Sequence, residues 1–332
     1  EYLSKASMYE ADSKSITTYD STNVKVVTWN IRFGIARFPF FGDSCGDDVI
    51  LDDATIEENM TAIADALNAI DEALPSALEA AVIRANADQF TRVIILSGAG
   101  RAFCAGYDLD VFAESPGTNA GIQEMPWDPI KDFAFMKRNT DCFMSLWRSL
   151  VPVICKVHGY AIAGGSDIAL CADLLVVADN AQLGYPPARV WGCPPTAMWV
   201  YRLGAERAKR LLFSGDLIDG RQAEAWGLGQ AVPAADLDDE VERIAQRMAT
   251  VPRNQLIMQK MMVNQALENM GLSSTQTLAN FFDGITRHSP EGVNFKQRAE
   301  AMGWKQAVRE RDEGTFDWTS NQLFGESEDA KS

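Results

Sequence analysis

The chain has 332 residues, 47% hydrophobic and 23% charged, with 30 basic against 46 acidic side chains and a formal net charge of −16. This balance excludes a chain disordered throughout, and the acidic excess opposes long-range attraction to nucleic acid or to an anionic membrane. At roughly 100–200 residues per domain, the length allows one large domain or two modest ones.

Residues 1–23 are polar and rich in Ser and Thr, a poorly ordered leader without the basic-then-apolar order of a secretory signal. Residues 24–30 (VKVVTWN) form a β-branched run suited to a buried strand, followed by a Gly/Pro/Phe loop at 34–46 and helical periodicity over 53–68. A second helix is expected over 72–87, with Pro75 in its first turn, where a missing N–H does little harm. Residues 92–97 (RVIILS) read as a strand buried on both faces, and 113–127 as a mobile segment. A helix over 131–150, a strand at 153–157, a helix starting at 167–171 and a strand at 174–178 follow. Strand, glycine turn and helix thus recur over 92–190, which favours a layered α/β arrangement. From residue 202 the pattern is nearly all helical, strongest at 205–214, 219–226, 236–249 and 253–270, and 321–332 is a flexible acidic tail. No run of about 18 apolar residues marks a membrane span. The six cysteines (Cys45, Cys104, Cys142, Cys155, Cys171, Cys193) form no CxxC pair and have only two histidines for company, so reduced thiols in a cytoplasmic protein without a metal site are expected.

Two glycine-rich segments each follow a buried strand and precede a helix, so both can present unpaired backbone N–H groups to a developing negative charge. Taken singly, such a turn usually serves packing or a positive φ. The first, SGAGRAFCAGYDL at 97–109, and the second, KVHGYAIAGGSDIALCADLLVVADNAQLGYP at 156–186, together resemble the two halves of the oxyanion hole of the crotonase (enoyl-CoA hydratase/isomerase) superfamily. The resemblance continues through RLGAERAKRLLFSGDLIDGRQAEAWGLGQAV at 202–232 and covers roughly residues 66–318.

The resemblance implies an α/β fold, a spiral of ββα units with a C-terminal helical region: an atypical strand–helix segment at 24–71, a core at 72–232 and helices at 233–320. It also implies assembly as a homotrimer or homohexamer. It places the two donor amides at Tyr107 and Gly164, which would hold a thioester oxygen as it becomes an enolate oxygen. Ala102, Ala105, Gly106, Asp108, Gly165 and Arg189 would line the substrate. The partner is an acyl-CoA or enoyl-CoA thioester, with CoA entering as part of the substrate and no separate cofactor or metal. Reversible hydration of a 2-enoyl-CoA is the expected reaction. Isomerisation or other enolate chemistry, or acyl-CoA binding with little catalysis, are the alternatives.

One departure bears on that choice. Hydratases of this family handle water with two glutamates; the first position is here Asp167 and the second Pro187, which has no carboxylate. Asp167 reads either as acid–base catalyst or as a helix-start carboxylate stabilising the macrodipole. Arg189 reads as a substrate-carboxylate or water contact, or as a surface or CoA-contacting arginine. Asp108 reads as a helix cap, His158 as a hydrogen-bonded core histidine, and Cys104 as a thiol with no histidine to activate it. Lys260 and Lys296 are either CoA-phosphate contacts or solvated lysines. Phe133, Phe135, Met136, Phe143, Met144 and Trp147 fit a core and an acyl-pocket wall equally well.

The beginning of the chain differs. Residues 24–34 (VKVVTWNIRFG) through 66–71 (ALNAID) resemble the opening of the endonuclease/exonuclease/phosphatase family, in which the Asn of the WN pair, here Asn30, belongs to a metal-dependent site. The metal-binding glutamate and catalytic His and Asp of that family do not follow, so no nuclease activity is expected. The strand at 24–30 is expected instead to replace the first crotonase strand.

Overall fold

The computed structural model describes residues 69–319 and, before them, the backbone of strand β1, Lys25–Ile31. The expectations for 1–23, 34–46, 53–68 and 321–332 lie outside the described residues. The aliphatic runs form a parallel sheet: β1 pairs with β2 (Thr91–Gly98), β2 with β3 (Val153–Val157), β3 with β5 (Leu174–Ala178) and β5 with β8 (Gln230–Val232). Central strands of such a sheet are covered on both faces, which is why RVIIL and VICKV are apolar without alternation. β1 thus occupies an edge beside β2, in register from Val26 opposite Val93 to Ile31 opposite Gly98.

A smaller sheet takes the intervening segments. β4 (Tyr160–Ile162) pairs parallel with β6 (Gln182–Gly184), which pairs antiparallel with β7 (Leu217–Asp219). These three-residue strands escape periodicity, since too few residues alternate.

Helix α1 is Leu74–Ala87, starting two residues later than expected because the Asp71 carboxylate accepts the amides of Ala73 and Leu74 from outside the helix. Leu74, Leu78, Val82 and Ala85 form its buried stripe, against α2 and the sheet. Helix α2 is Pro129–Trp147, displaced from 131–150 at both ends. Asp128 accepts from Ile130 N and Lys131 N with Pro129 as first helical residue, and the amide of Leu150 turns to Asn86 instead of continuing the helix. Helix α3 is the short Gly164–Leu170, buried throughout, beginning at the glycines rather than at Asp167.

Beyond the second sheet come α4 (Met198–Leu203), α5 (Ala205–Ser214), α6 (Gly220–Ala225) and α7 (Leu237–Ala249). α7 returns to the sheet, packing Leu237, Val241 and Ala245 into the same core as β2, β3 and β5. Then follow α8 (Arg253–Asn269), α9 (Leu272–His288), α10 (Pro290–Met302) and α11 (Trp304–Glu313). A separate apolar cluster of Ala113, Phe295, Ala299, Ala307 and Trp318 ties the last two helices to the segment after the first glycine turn.

That segment, expected to be mobile, is pinned. Asp110–Glu114 form one π-helical turn, Asn119 Nδ2 donates to the carbonyls of Val111 and Phe112, Arg287 donates to the carbonyl of Gly121, and Trp127 stacks on His288 at 4.3 Å. Its partners are more than 150 residues away for Gly121 and Trp127, beyond the reach of local sequence reading.

Candidate active site

The two glycine segments zip together. Phe103 N donates to His158 O (2.9 Å), Cys104 N to Tyr160 O (2.9 Å) and Ile162 N to Cys104 O (3.0 Å). Gly165 is where they touch: a Cβ there would lie 2.2 Å from the carbonyl oxygen of Cys104, so no larger residue fits without moving the backbone. Gly106, at φ +99°, turns the first segment so that the next peptide points at the second; a Cβ on Gly106 would stand 3.6 Å from Gly164 N. Tyr107 is steadied by Ile70 on its other side, where Ile70 N donates to Gly106 O and Asp108 N to Ile70 O. Its ring edge lies over Gly164. The amides of Tyr107 and Gly164 have no acceptor among the described residues. Ala163, just before Gly164, holds φ 53° and ψ −126°, a conformation costly for a residue with a side chain.

Asp167 lies one turn into α3 and is fully buried. Thr196 Oγ1 donates to its Oδ1 at 2.5 Å, while Oδ2 is buried with no partner among the described residues. Burial pushes this carboxyl up to about 8, against the lowering effect of the Thr196 bond. Pro187 sits in the 3-10 turn Pro186–Ala188 and supplies no second acid.

Sequence reasoning missed what lies behind Thr196. Gln276, Asn280, Asp283 and Arg287, spaced at helical intervals along α9, are all buried. Gln276 Nε2 donates to Thr196 O (2.9 Å), Asn280 Nδ2 to Pro195 O (3.2 Å), and Asp283 Oδ1 accepts Cys193 N (3.1 Å). Arg287 bridges Asp283 and Asp132, both at 3.0 Å. Asp283 is therefore no free substitute for the absent carboxylate: one oxygen holds a backbone amide and the other a guanidinium. Its spacing was the available signal, but such a stripe ordinarily marks a solvated helix face.

Other expected residues fall as follows. Ala102 is buried and Ala105 exposed in the first turn, next to Gly106. Asp108 Oδ1 accepts Asp110 N at the start of the π-helical turn, a capping role. Arg189 is exposed, its Nε donating to Arg311 O (2.8 Å) and its Nη1 to Ser214 O (2.6 Å), which joins the ends of α11 and α5. For Lys260 and Lys296 the solvated reading is corrected, because both are buried. Lys260 is buried on Asp173 (2.7 Å) and Leu146 O, Lys296 on Glu300 (2.5 Å) and Ser115 O. His158 Nε2 donates to Gly100 O at 2.9 Å, and burial lowers its pKa. The Cys104 thiol is pushed up to about 12 by burial, which leaves it no thiolate at neutral pH. Phe143, Met144 and Trp147 belong to the main core, while Phe133 stacks on Phe281 at 4.1 Å.

Residues 60–301 match the sequence profile of the family described as Enoyl-CoA hydratase/isomerase. A crystal structure of an enoyl-CoA hydratase from Mycobacterium smegmatis matches with a TM-score of 0.72 and 40% identity, over 90% of this chain and 94% of that one. An enoyl-CoA hydratase/isomerase from Xanthobacter autotrophicus Py2 shares the fold at 23% identity, with a TM-score of 0.69 over 91% of this chain and 99% of that one. The carnitinyl-CoA dehydratase of Proteus mirabilis is 29% identical over 188 residues, 55% of this chain and 67% of the relative. With its two interlocked glycine turns, its parallel sheet and a profile match over most of its length, this chain belongs to the enoyl-CoA hydratase/isomerase family, the crotonase superfamily.

Proposed function

We propose that the chain is a hydratase-type lyase that adds water reversibly to a 2-enoyl-CoA, with Tyr107 N and Gly164 N as the oxyanion donors and Asp167 as its single acid–base. The observation that carries this reading is the Asp167 carboxyl, buried beside the glycine turns, with Oδ2 unpartnered among the described residues and raised to about 8. A proton-transfer group works best when its pKa lies near the working pH, and this carboxyl exchanges a proton readily there. As base, it takes a proton from water as the water oxygen bonds to C3 of the enoyl group. Electron density moves to the thioester oxygen, where the two amides stabilise it. The same carboxyl then returns the proton to C2, giving the 3-hydroxyacyl thioester. One carboxylate serves both steps in turn, so Pro187 is not an obstacle.

Double-bond isomerisation is the second reading, favoured by the absence of a carboxylate at Pro187, because moving a proton between two carbons needs one base and no held water. A panel of 2-enoyl-CoA and 3-enoyl-CoA esters assayed by mass spectrometry separates the two. A gain of 18 Da from the 2-enoyl esters, lost in Asp167→Asn, supports hydration; conversion of the 3-enoyl esters without mass change supports isomerisation. Binding without either change would reduce the chain to an acyl-CoA-binding protein.

We also propose a homotrimer or homohexamer. The exposed apolar residues Met258, Met261, Met262 and Val263 on α8 and Leu278, Phe282 and Ile285 on α9 support it. Light scattering returning a monomer at micromolar concentration would contradict it. Among the described residues no helix is long and apolar enough to cross a membrane. Cys104, Cys142, Cys155, Cys171 and Cys193 are free thiols, in keeping with a reducing, cytoplasmic setting.

A further inference from the structure

We propose that Thr196 is a positioning residue that decides which oxygen of Asp167 carries the exchanging proton. The inference rests on the reading of Asp167 as the acid–base. Thr196 is fully buried, two residues before α4, and its hydroxyl oxygen accepts the amide of Met198 at 3.5 Å. The hydroxyl has one hydrogen to give, and among the described residues its acceptor is Asp167 Oδ1 at 2.5 Å. An oxygen that accepts this bond is a poor place for the acid's own proton, so the proton resides on Oδ2. Oδ2 is the oxygen that is buried without a partner among the described residues, and a buried polar atom left so calls for an explanation. Delivery of a proton from Oδ2 to a substrate carbon supplies one.

Thr196 is itself held from a distance. α9 grips the three carbonyls and amides around it through Gln276 on Thr196 O, Asn280 on Pro195 O and Asp283 on Cys193 N. Ala197, with φ 55° and ψ 12°, then turns the chain into α4, which fixes the direction in which the Thr196 side chain leaves the backbone. The ionisable groups that act on Asp167 are Asp283 from α9, Tyr107 from the first glycine turn, Tyr185 from the second segment, Cys193 from the stretch before Thr196, and Cys171 just after α3. Burial raises all of them, so at neutral pH the two phenols and two thiols among them stay uncharged; the charged neighbour is the Asp283–Arg287 pair. Thr196 is thus the residue that bonds the Asp167 carboxyl directly: its backbone amide also acts on the carboxyl, and its hydroxyl, on Oδ1 at 2.5 Å, distinguishes the two oxygens.

The test compares Thr196→Val, which keeps the shape and removes the donor, with Thr196→Ser, which keeps the donor. Turnover of a 2-enoyl-CoA should fall about tenfold in Thr196→Val and its pH limb should move up by about one unit, with KM little changed. Thr196→Ser should restore both. Equal impairment of the two variants, or an unmoved limb in Thr196→Val, would overturn the proposal. An infrared readout needs neither turnover nor Thr196→Val folding: the carbonyl stretch of protonated Asp167, identified by its loss in Asp167→Asn, should rise in frequency in Thr196→Ala as Oδ1 loses its hydrogen bond. A band that stays in place overturns the proposal even if the wild-type chain is active. A band that moves in a chain turning over no enoyl-CoA ester upholds the proton placement and sinks the proposed hydration.

Discussion

The strand-and-turn half of the molecule and its C-terminal helices are held together by different physics. Between residues 92 and 190, backbone lies against backbone: Gly165 leaves 2.2 Å between a Cβ and Cys104 O, and Phe103 and Cys104 donate straight into the facing segment. Along α8, α9 and α10 the ties are buried charges, Lys260 on Asp173, Arg287 on Asp132 and Asp283, Lys296 on Glu300. The first region tolerates no added atom and the second no removed partner. The acid–base candidate sits at their junction, its backbone in the first region and its Thr196 partner braced by the second.

The largest effect is expected where one charge serves two partners. Arg287→Leu leaves Asp132 and Asp283 buried and unpaired, and chemical denaturation should show a loss of about 3–5 kcal/mol. In the steric region, Gly165→Ala should cost about 3 kcal/mol and abolish turnover, since only a shift of the Cys104 backbone relieves the clash. If Gly165→Ala proves as stable and active as the parent, the two turns are not interlocked as described.

At the junction the sign reverses. The native state holds the proton of Asp167 up to about 8, whereas the unfolded chain releases it near 3.8. Between those values the native state binds more protons, so the share of stability linked to this group falls as pH rises from about 4 to 8. Asp132 and Asp283, also raised by burial, act in the same direction. Asp167→Asn removes the titration; it should gain about 1–3 kcal/mol at pH 7, and its stability should decline less with pH. Thermal melts of both proteins across that range check it, and parallel pH curves would contradict the burial account. The smallest effect belongs to exposed pairs outside both regions: Glu240→Ala, which breaks the contact with Arg243, should leave the melting temperature unchanged within error.

The same division governs what the sequence discloses. Strands buried on both faces need unbroken apolar runs and interlocked turns need glycine, so β2, β3, β5 and both turns were legible. α9 was not, because its buried face carries Gln276, Asn280, Asp283 and Arg287 while Leu278, Phe282 and Ile285 are exposed. That is the reverse of an ordinary surface helix, and only the tertiary partners at 132 and 193–196 explain it. Lys260 and Arg189 escaped for a similar reason: their acceptors, Asp173 and the carbonyls of Ser214 and Arg311, are distant in sequence. Pro187 could be read directly as a missing carboxylate, whereas the full burial of Asp167 is visible only in the folded chain.

The most direct measurement of the central claim is a crystal structure of the protein with acetoacetyl-CoA, whose thioester readily takes enolate form. The thioester oxygen should lie about 3 Å from both Tyr107 N and Gly164 N, with Asp167 Oδ2 facing the adjacent carbon. A thioester oxygen bonded to neither amide, or a carbon chain seated away from Asp167, would contradict it.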